Sequence, residues 1–372
     1  MQLLNRSRSI VQLDNGLEFQ GYSFGYMAPA DGEVVFSTTM TGYPESLTDP
    51  SYEGQILCST YPLIGNYGVP GAITSGGVQQ HFESERIHVR GLIISDYSLK
   101  YSHWSAIKSL DQWLRENRIP AIYGVDTREL TKVIRDNGSM LGRIIPEGES
   151  PQWDVEDPNT TSLVARVSCK EVITYPGPIR SKRVVLIDCG VRHSILRYLI
   201  SKNIEVIRVP WDYDFNDGSV GRYDGLLISS GPGNPEFCTA TISHIRHTMT
   251  LGKPIFGICM GHQLLAMAAG AKTFKLKYGH RSHNQPVQMV GTDRAYITSQ
   301  NHGFAVNNNT LPAGWVPLFV NVNDNTNEGM KHVSRPFFST QFHPEASGGP
   351  TDTDFLFDLF IENIERAGGS RH

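Results

Sequence analysis

Cys259 lies in "PIFGICMGHQLLA" (residues 254–266), between a short apolar run and a segment with helical spacing, with Gly257 and Gly261 two places away on either side. A thiol at such a strand-to-helix corner projects into the crevice at the strand end. It also faces the exposed N–H groups and positive end of the following helix, which favour the thiolate, the nucleophilic form. Bulk two positions before or after the thiol would collide at the corner, so glycine suits both places. G-x-C-x-G alone also fits an inert, buried cysteine in a strand–helix joint. A thiolate that attacks a carbonyl needs a base and donors for the oxyanion. In "FFSTQFHPEAS" a β-type run ends at His343, followed by Pro344 and Glu345. That spacing lets a carboxylate orient an imidazole acting as base, a role a lone histidine after a strand would not claim. The N–H of Met260, with one from Gly231 or Gly233 in "SSGPGNP", supplies the donor pair. The same glycines also read as a plain turn, and no Gly-Lys-Ser/Thr follows to make a nucleotide cradle.

The elements that must hold these residues are legible from residue 183 onward. Apolar, β-branched runs ("RVVLIDCG", "IEVIRVP", "YDGLLISSGPG", "PIFGI") alternate with helical segments ("RHSILRYLISKN", "TATISHIRHTMTLG", "CMGHQLLAMAAGA"). This is the pattern of a doubly wound, mostly parallel sheet with helices on both faces, in which sites collect at the carboxyl ends of the strands. Three such loops carry chemistry: "CGVRHS", "SSGPGNP" and "CMGHQ". The first half reads as mixed α+β. "SIVQLDNGLEFQGYSFG" is a hairpin turning at Asp14, Asn15 and Gly16, followed by the β-type runs "GEVVFSTTM", "GQILCSTYPLIG" and "VRGLIISDY". Helices are expected around "WSAIKSLDQWLRENR" and in "TRELTKVIRDNG", the latter capped by Asp126 and ended by Gly138. A stripe from Trp104 to Trp113 reads as core. Residues 147–183 turn polar and proline-dotted, which places a domain boundary at 178/179.

A chain of 372 residues with 39% hydrophobic and 19% charged residues buries a core of two-domain size. Its net charge of -4 and lack of a Lys/Arg cluster give no electrostatic footprint for nucleic acid. The five cysteines (Cys58, Cys169, Cys189, Cys238, Cys259) are an odd, scattered set without C-x-x-C. They suggest neither a disulfide framework nor a thiolate zinc site, and fit a reducing compartment. His262, His280, His283 and His302 match no zinc spacing and read as polar or packing residues, so no metal is expected. No apolar run approaches the roughly 18 residues of a membrane span. Arginines interrupt "MQLLNRSRSI" before a signal-type apolar region forms. The expectation is a soluble, cytoplasmic protein that binds neither membrane nor nucleic acid, with a transit-peptide reading of the Arg/Ser-containing start left open.

"GICMGHQLLA", "SSGPGNP" and "QFHPEAS" resemble the motifs of the class I, triad-type glutamine amidotransferases. "GEVVFSTTMTGYPESLTDPSYEGQI", "TYPLIGNYG", "YGVDTRELTKVIRDNGSMLG" and "TSQNHGFAV" narrow the resemblance to the glutaminase subunit or domain of glutamine-dependent carbamoyl phosphate synthetase. It covers essentially the whole chain. It is closer to the eukaryotic type, in which this unit usually begins a longer fused polypeptide. The resemblance implies that Cys259 is the nucleophile, His343 the base and then acid, and Glu345 its partner. It implies a glutamine site made by Ser51, Gly231, Gly233, Met260, Gln263, Asn301, Gly303 and Phe304. Met260 departs from the commoner leucine, a change the family's use of its N–H tolerates. L-Glutamine would be hydrolysed to glutamate and ammonia for a synthetase large subunit or fused synthetase domain, with the first domain as docking surface. No cofactor is expected in this chain; ATP, magnesium and bicarbonate belong to the synthetase partner. The readings left open are an amidotransferase with another acceptor, a free-standing thiol hydrolase, and a non-enzymatic scaffold.

Overall fold

The turn at Asp14–Gly16 joins β1 (Arg8–Leu13) to β2 (Glu18–Gly25) in an antiparallel hairpin. Gly16 takes the positive φ of 85° that such a turn demands, and the Asn15 side chain accepts from the Leu17 N–H at 3.0 Å. The hairpin belongs to a computed structural model that describes residues 7–151 and 154–369. Its two compact units are Met1–Ile73 with His81–Thr161, and Thr74–Gln80 with Ser162–His372.

In the first unit the hairpin joins β3 (Ala30–Ser37), β4 (Gln55–Ser59), β5 (Gly91–Ile93), β6 (Pro120–Tyr123) and β7 (Met140–Pro146). They close into a barrel in the order β1-β7-β3-β4-β5-β6-β2. Closure pairs every strand on both sides and so removes the exposed edges of an open sheet. Helix α1 (Leu110–Glu116) packs Trp113 and Leu114 into the same core as Val35, Leu57 and Leu92. It starts at Leu110, because the Ser109 hydroxyl caps it by accepting from Gln112 N–H at 3.1 Å and Ala106–Lys108 is extended, paired with Val69–Pro70. That corrects the longer helix expected from Trp104 onward. Trp104 is 89% exposed beside His103, so only the Trp113 end of the stripe is core. Helix α2 (Thr127–Asn137) has the expected ends. Asp126 accepts from Glu129 N–H at 2.9 Å, a cap worth about 1 kcal/mol, and Gly138 at φ 101° ends it.

The second unit begins earlier than composition suggested. The strand β8 (Ile173–Tyr175) already pairs with its sheet, so the polar stretch belongs to it from Ser162 onward, and to the first unit up to Thr161. The repeating elements follow as expected: β9 (Arg183–Asp188), α3 (His193–Ser201), β10 (Glu205–Pro210), β11 (Gly225–Ile228), α4 (Thr239–Thr250), β12 (Ile255–Ile258) and α5 (Met260–Ala269). Then come β13 (Thr273–Met289), β14 (Ala295–Val306), β15 (Trp315–Asn321), β16 (Asn327–His332), β17 (Phe337–Thr340) and α6 (Phe355–Gly369). The sheet order is β8-β10-β9-β11-β12-β17-β16-β15-β13-β14. Strands β10, β9, β11, β12 and β17 are parallel, and an antiparallel part continues the sheet to its last strand, β14.

Successive residues of the parallel strands enter opposite cores, as the pleat requires. Val185, Ile187, Leu226 and Ile228 meet Ile245 of α4 and Leu264 and Leu265 of α5. Val184, Leu186, Leu227 and Phe256 meet Leu196 and Leu199 of α3 and Phe357 and Phe360 of α6. Helices therefore cover both faces. The chain leaves β9 toward β10 on one side and leaves β11 toward β12 on the other, and crevices form at the carboxyl ends beside such a reversal.

Candidate active site

Cys259 follows β12 with φ 54° and ψ -103°, a backbone conformation that side-chain-bearing residues rarely adopt. Three strand ends hold it there. Cys259 N–H donates to Thr340 O at the end of β17 (2.8 Å), and Gly261 N–H donates to Ser229 O just beyond β11 (3.0 Å). A Cβ on Gly257 would run into the Gly261 carbonyl, and one on Gly261 into the Ile228 carbonyl. Both glycines are thus needed for backbone approach, as the corner reading expected. Cys259 and Met260 are each 1% exposed.

His343 comes three residues after β17, and its N–H donates to Ser299 O on β14 at 2.9 Å. Its Nδ1 lies 2.7 Å from Glu345 Oε1, with both side chains fully buried. Burial opposes a charged imidazolium here, but the Glu345 carboxylate and the Cys259 sulfur favour it and win, pushing His343 up to about 10. Glu345 also meets a residue the motifs did not single out. Arg192, from the loop after β9, places Nη1 3.4 Å from Glu345 Oε1 and donates through Nη2 to Ser347 O at 3.1 Å. Its signal lay in "CGVRHS", a loop flagged as chemically loaded but without a role for its arginine. Asp188, fully buried, shapes that loop by accepting from the N–H groups of Gly190 (2.9 Å) and Val191 (2.8 Å) and pairing with Arg208 (2.6 Å).

The other expected residues divide into those bonded at this point and those placed elsewhere in the chain. Gln263, one turn into α5, donates from Nε2 to Phe304 O (3.0 Å) and to Gln341 Oε1 (3.2 Å), leaving its own Oε1 buried without a partner. Cys259 Sγ donates to Asn301 O at 3.7 Å and receives from Gln341 Nε2 at 3.7 Å. Gln341 lies in "QFHPEAS", where the sequence alone gives it no role. Gly303 lies on β14 between Asn301 and Phe304. Gly231 and Gly233 sit in the loop after β11: a Cβ on Gly231 would strike Cys189 O, and Gly233 has φ 81°. Ser51 belongs to the first unit, in a 3-10 turn (Pro50–Tyr52) whose N-cap Asp49 accepts from Ser51 N–H at 2.9 Å; its Oγ is buried without a partner.

The histidines read as polar or packing residues are buried, His283 excepted. Burial drives His262 down to about 3, and its Nδ1 lies 2.8 Å from Ser339 Oγ. His280, His302 and Glu328 offer ligand atoms within 4.8 Å of one another. His280, however, is held between carboxylates through both ring nitrogens, Asp324 at 2.8 Å and Glu328 at 3.3 Å. Burial pulls His280 down, but those two groups outweigh it and raise it to about 9, so a metal would have to displace an imidazolium proton. The cluster reads as a buried ion pair behind the strand that carries Asn301 and Gly303.

Family models match both halves of the chain. Residues 185–363 match the model described as glutamine amidotransferase class-I, and residues 11–144 match that of the carbamoyl-phosphate synthase small chain, CPSase domain. The chain is similar to the carbamoyl phosphate synthase arginine-specific small chain of Saccharomyces cerevisiae, 51% identical over 364 residues, 95% of this chain and 88% of that protein. It is 49% identical to the mitochondrial carbamoyl-phosphate synthase (ammonia) of Aquarana catesbeiana over 96% of this chain, but spans only 24% of that relative. It is 47% identical to the multifunctional protein pyrABCN of Emericella nidulans, again over 95% of this chain and 17% of that relative. With both of its units matched and a small chain aligned over most of its length, the chain belongs to the carbamoyl-phosphate synthase small-chain family, with a class-I glutamine amidotransferase domain as its second part.

Proposed function

We propose that this chain hydrolyses L-glutamine to glutamate and ammonia, and that a synthetase large subunit or fused synthetase domain uses the ammonia to make carbamoyl phosphate. The observation that carries the reading is Cys259 held at a strained corner beside the buried His343–Glu345 pair. The Cys259 thiolate attacks the carboxamide carbon, forming a C–S bond and an oxyanion that the Met260 N–H and the glycine turn at Gly231 and Gly233 stabilise. His343 gives its proton to the nitrogen as the C–N bond breaks, and ammonia leaves. Water then attacks the glutamyl thioester, His343 takes its proton, and the C–S bond breaks to return the thiolate and release glutamate. Gln263, Asn301, Gly303 and Phe304 hold the charged ends of glutamine. ATP, magnesium and bicarbonate act at the partner. Ammonia released into water would be protonated and lost as a nucleophile, which is why the product is passed directly to the partner. Supply of cytoplasmic pyrimidine synthesis is the favoured use, with arginine or urea formation the second.

Glutamate release from glutamine by the folded chain, alone and with a carbamoyl phosphate synthetase partner, tests the reading. Release that rises with the partner is the expected result. A folded chain that releases none in either condition overturns it in favour of a scaffold role.

A further inference from the structure

Gln341 sits between the two side chains that the proposed reaction asks most of. It is fully buried, directly follows β17, and its backbone N–H donates to Glu328 O at 2.9 Å. Its neighbour Thr340 accepts the Cys259 N–H, so its backbone is locked to that of the thiol-bearing residue. The side chain has one sensible orientation. Gln263 Nε2 donates to Gln341 Oε1 at 3.2 Å while also donating to Phe304 O, which turns Gln341 Nε2 toward Cys259 Sγ at 3.7 Å. The reversed amide would set two N–H donor groups against each other and an oxygen against the sulfur.

We propose that Gln341 is a catalytic residue that donates an N–H to the Cys259 sulfur and stabilises it as thiolate, both before attack and when the thioester is hydrolysed. The sulfur's other polar backbone neighbour has the opposite preference: Asn301 O accepts from the thiol and so favours the protonated form. Deleting the Gln341 donor leaves only the His343 charge to oppose that carbonyl. An amide donor is neutral and does not titrate, so it supports the anion at every working pH. Gln263 then has a second duty besides holding glutamine, since it orients the donor. This inference rests on the glutaminase reading for its kinetics but not for its effect on the thiol.

Two variants test it: Gln341→Met, unbranched and of similar length without a donor, and Gln341→Glu, isosteric with an acceptor in the donor's place. Iodoacetamide labelling of Cys259, followed by peptide mass spectrometry across pH, reads the thiolate fraction. Thermal midpoints and glutamine kcat and KM are measured beside it. In Gln341→Met the labelling profile is expected to move to higher pH by about one unit, the effect of losing one hydrogen bond to an anion. kcat is expected to fall about tenfold or more, with KM little changed. Gln341→Glu is expected to move the profile further in the same direction. Unchanged labelling profiles in folded variants overturn the proposal, as does an effect confined to KM. If Gln341→Met does not fold, the isosteric Gln341→Glu decides alone. A shifted profile in a chain whose wild type hydrolyses no glutamine upholds the thiolate role and defeats the glutaminase reading.

Discussion

Replacing Cys259 by glycine is expected to lower glutamate release by about 10⁴-fold or more, the loss typical of a deleted nucleophile, and yet to give a more stable protein than Cys259→Ala. The reason is the backbone. At φ 54° and ψ -103° a residue with a Cβ sits in a region that costs about 1–3 kcal/mol, and alanine keeps that strain while losing the sulfur's contacts. Glycine loses the same contacts and relieves the strain. At an ordinary buried position the order is reversed, with glycine less stable than alanine by about 0.5–1 kcal/mol through its unfolded-state entropy. Urea midpoints of the two variants decide the matter. If alanine is the more stable, the corner is not strained and the catalytic reading of the geometry loses its physical basis.

The second large effect is expected from Glu345→Gln. Glu345 is the carboxylate between two buried cationic side chains, His343 at 2.7 Å and Arg192 at 3.4 Å. Without it, burial acts on His343 unopposed by its main charge partner and drives it toward the neutral form. Glutamine hydrolysis is expected to fall about 10³–10⁴-fold, as when the orienting carboxylate of a triad becomes an amide. Stability carries a separate signature. His343 is raised in the folded state from 6.5 to about 10, so its contribution is fully present below pH 6.5 and disappears as pH rises through about 10. Wild-type stability should therefore decline across that window, and the decline should be flattened in Glu345→Gln. The variant should also lose about 3–5 kcal/mol at neutral pH, because the buried His343–Glu345 pair loses its carboxylate. Urea unfolding at pH 6, 8 and 10 makes the measurement, and a pH slope unchanged from wild type shows that Glu345 is not what keeps His343 charged.

Much of this site could be read before any coordinates, and the part that could not has a common cause. Local patterns carry local information. Alternating apolar runs and helices placed Cys259 at a strand-to-helix corner, Asp126 and Gly138 marked both ends of α2, and Asp14–Gly16 marked a hairpin. Barrel closure depends on pairings remote in sequence. β5 is only three residues long, Gly91–Ile93, yet it pairs in parallel with both β4 and β6. The antiparallel part was silent because β13 has register shifts between Lys275 and His280 and between Ser282 and Gln285, which break the period-2 alternation. Arg192 and Gln341 were visible as letters in flagged segments, but their roles depend on Glu345 and Cys259, which lie 153 and 82 residues away. Trp104 misled for the opposite reason. Its type suggested core, whereas extended pairing and the Ser109 cap left it outside the helix.

The position of β14 as the last strand of its sheet has a kinetic meaning. Cys259 follows a strand paired on both sides, so freeing its backbone requires opening the centre of the unit. Asn301, Gly303 and Phe304 ride on a border strand, held along one side by β13 and joined on the other to His343 by an isolated bridge at Ser299. Border strands belong to the part of a protein that opens locally, long before the whole unfolds. Cys259 is thus built beside a strand paired on both sides, and the candidate substrate contacts on one that opens more readily. A docking event that damps only the border strand would improve the fit of glutamine while leaving the backbone of Cys259 in place.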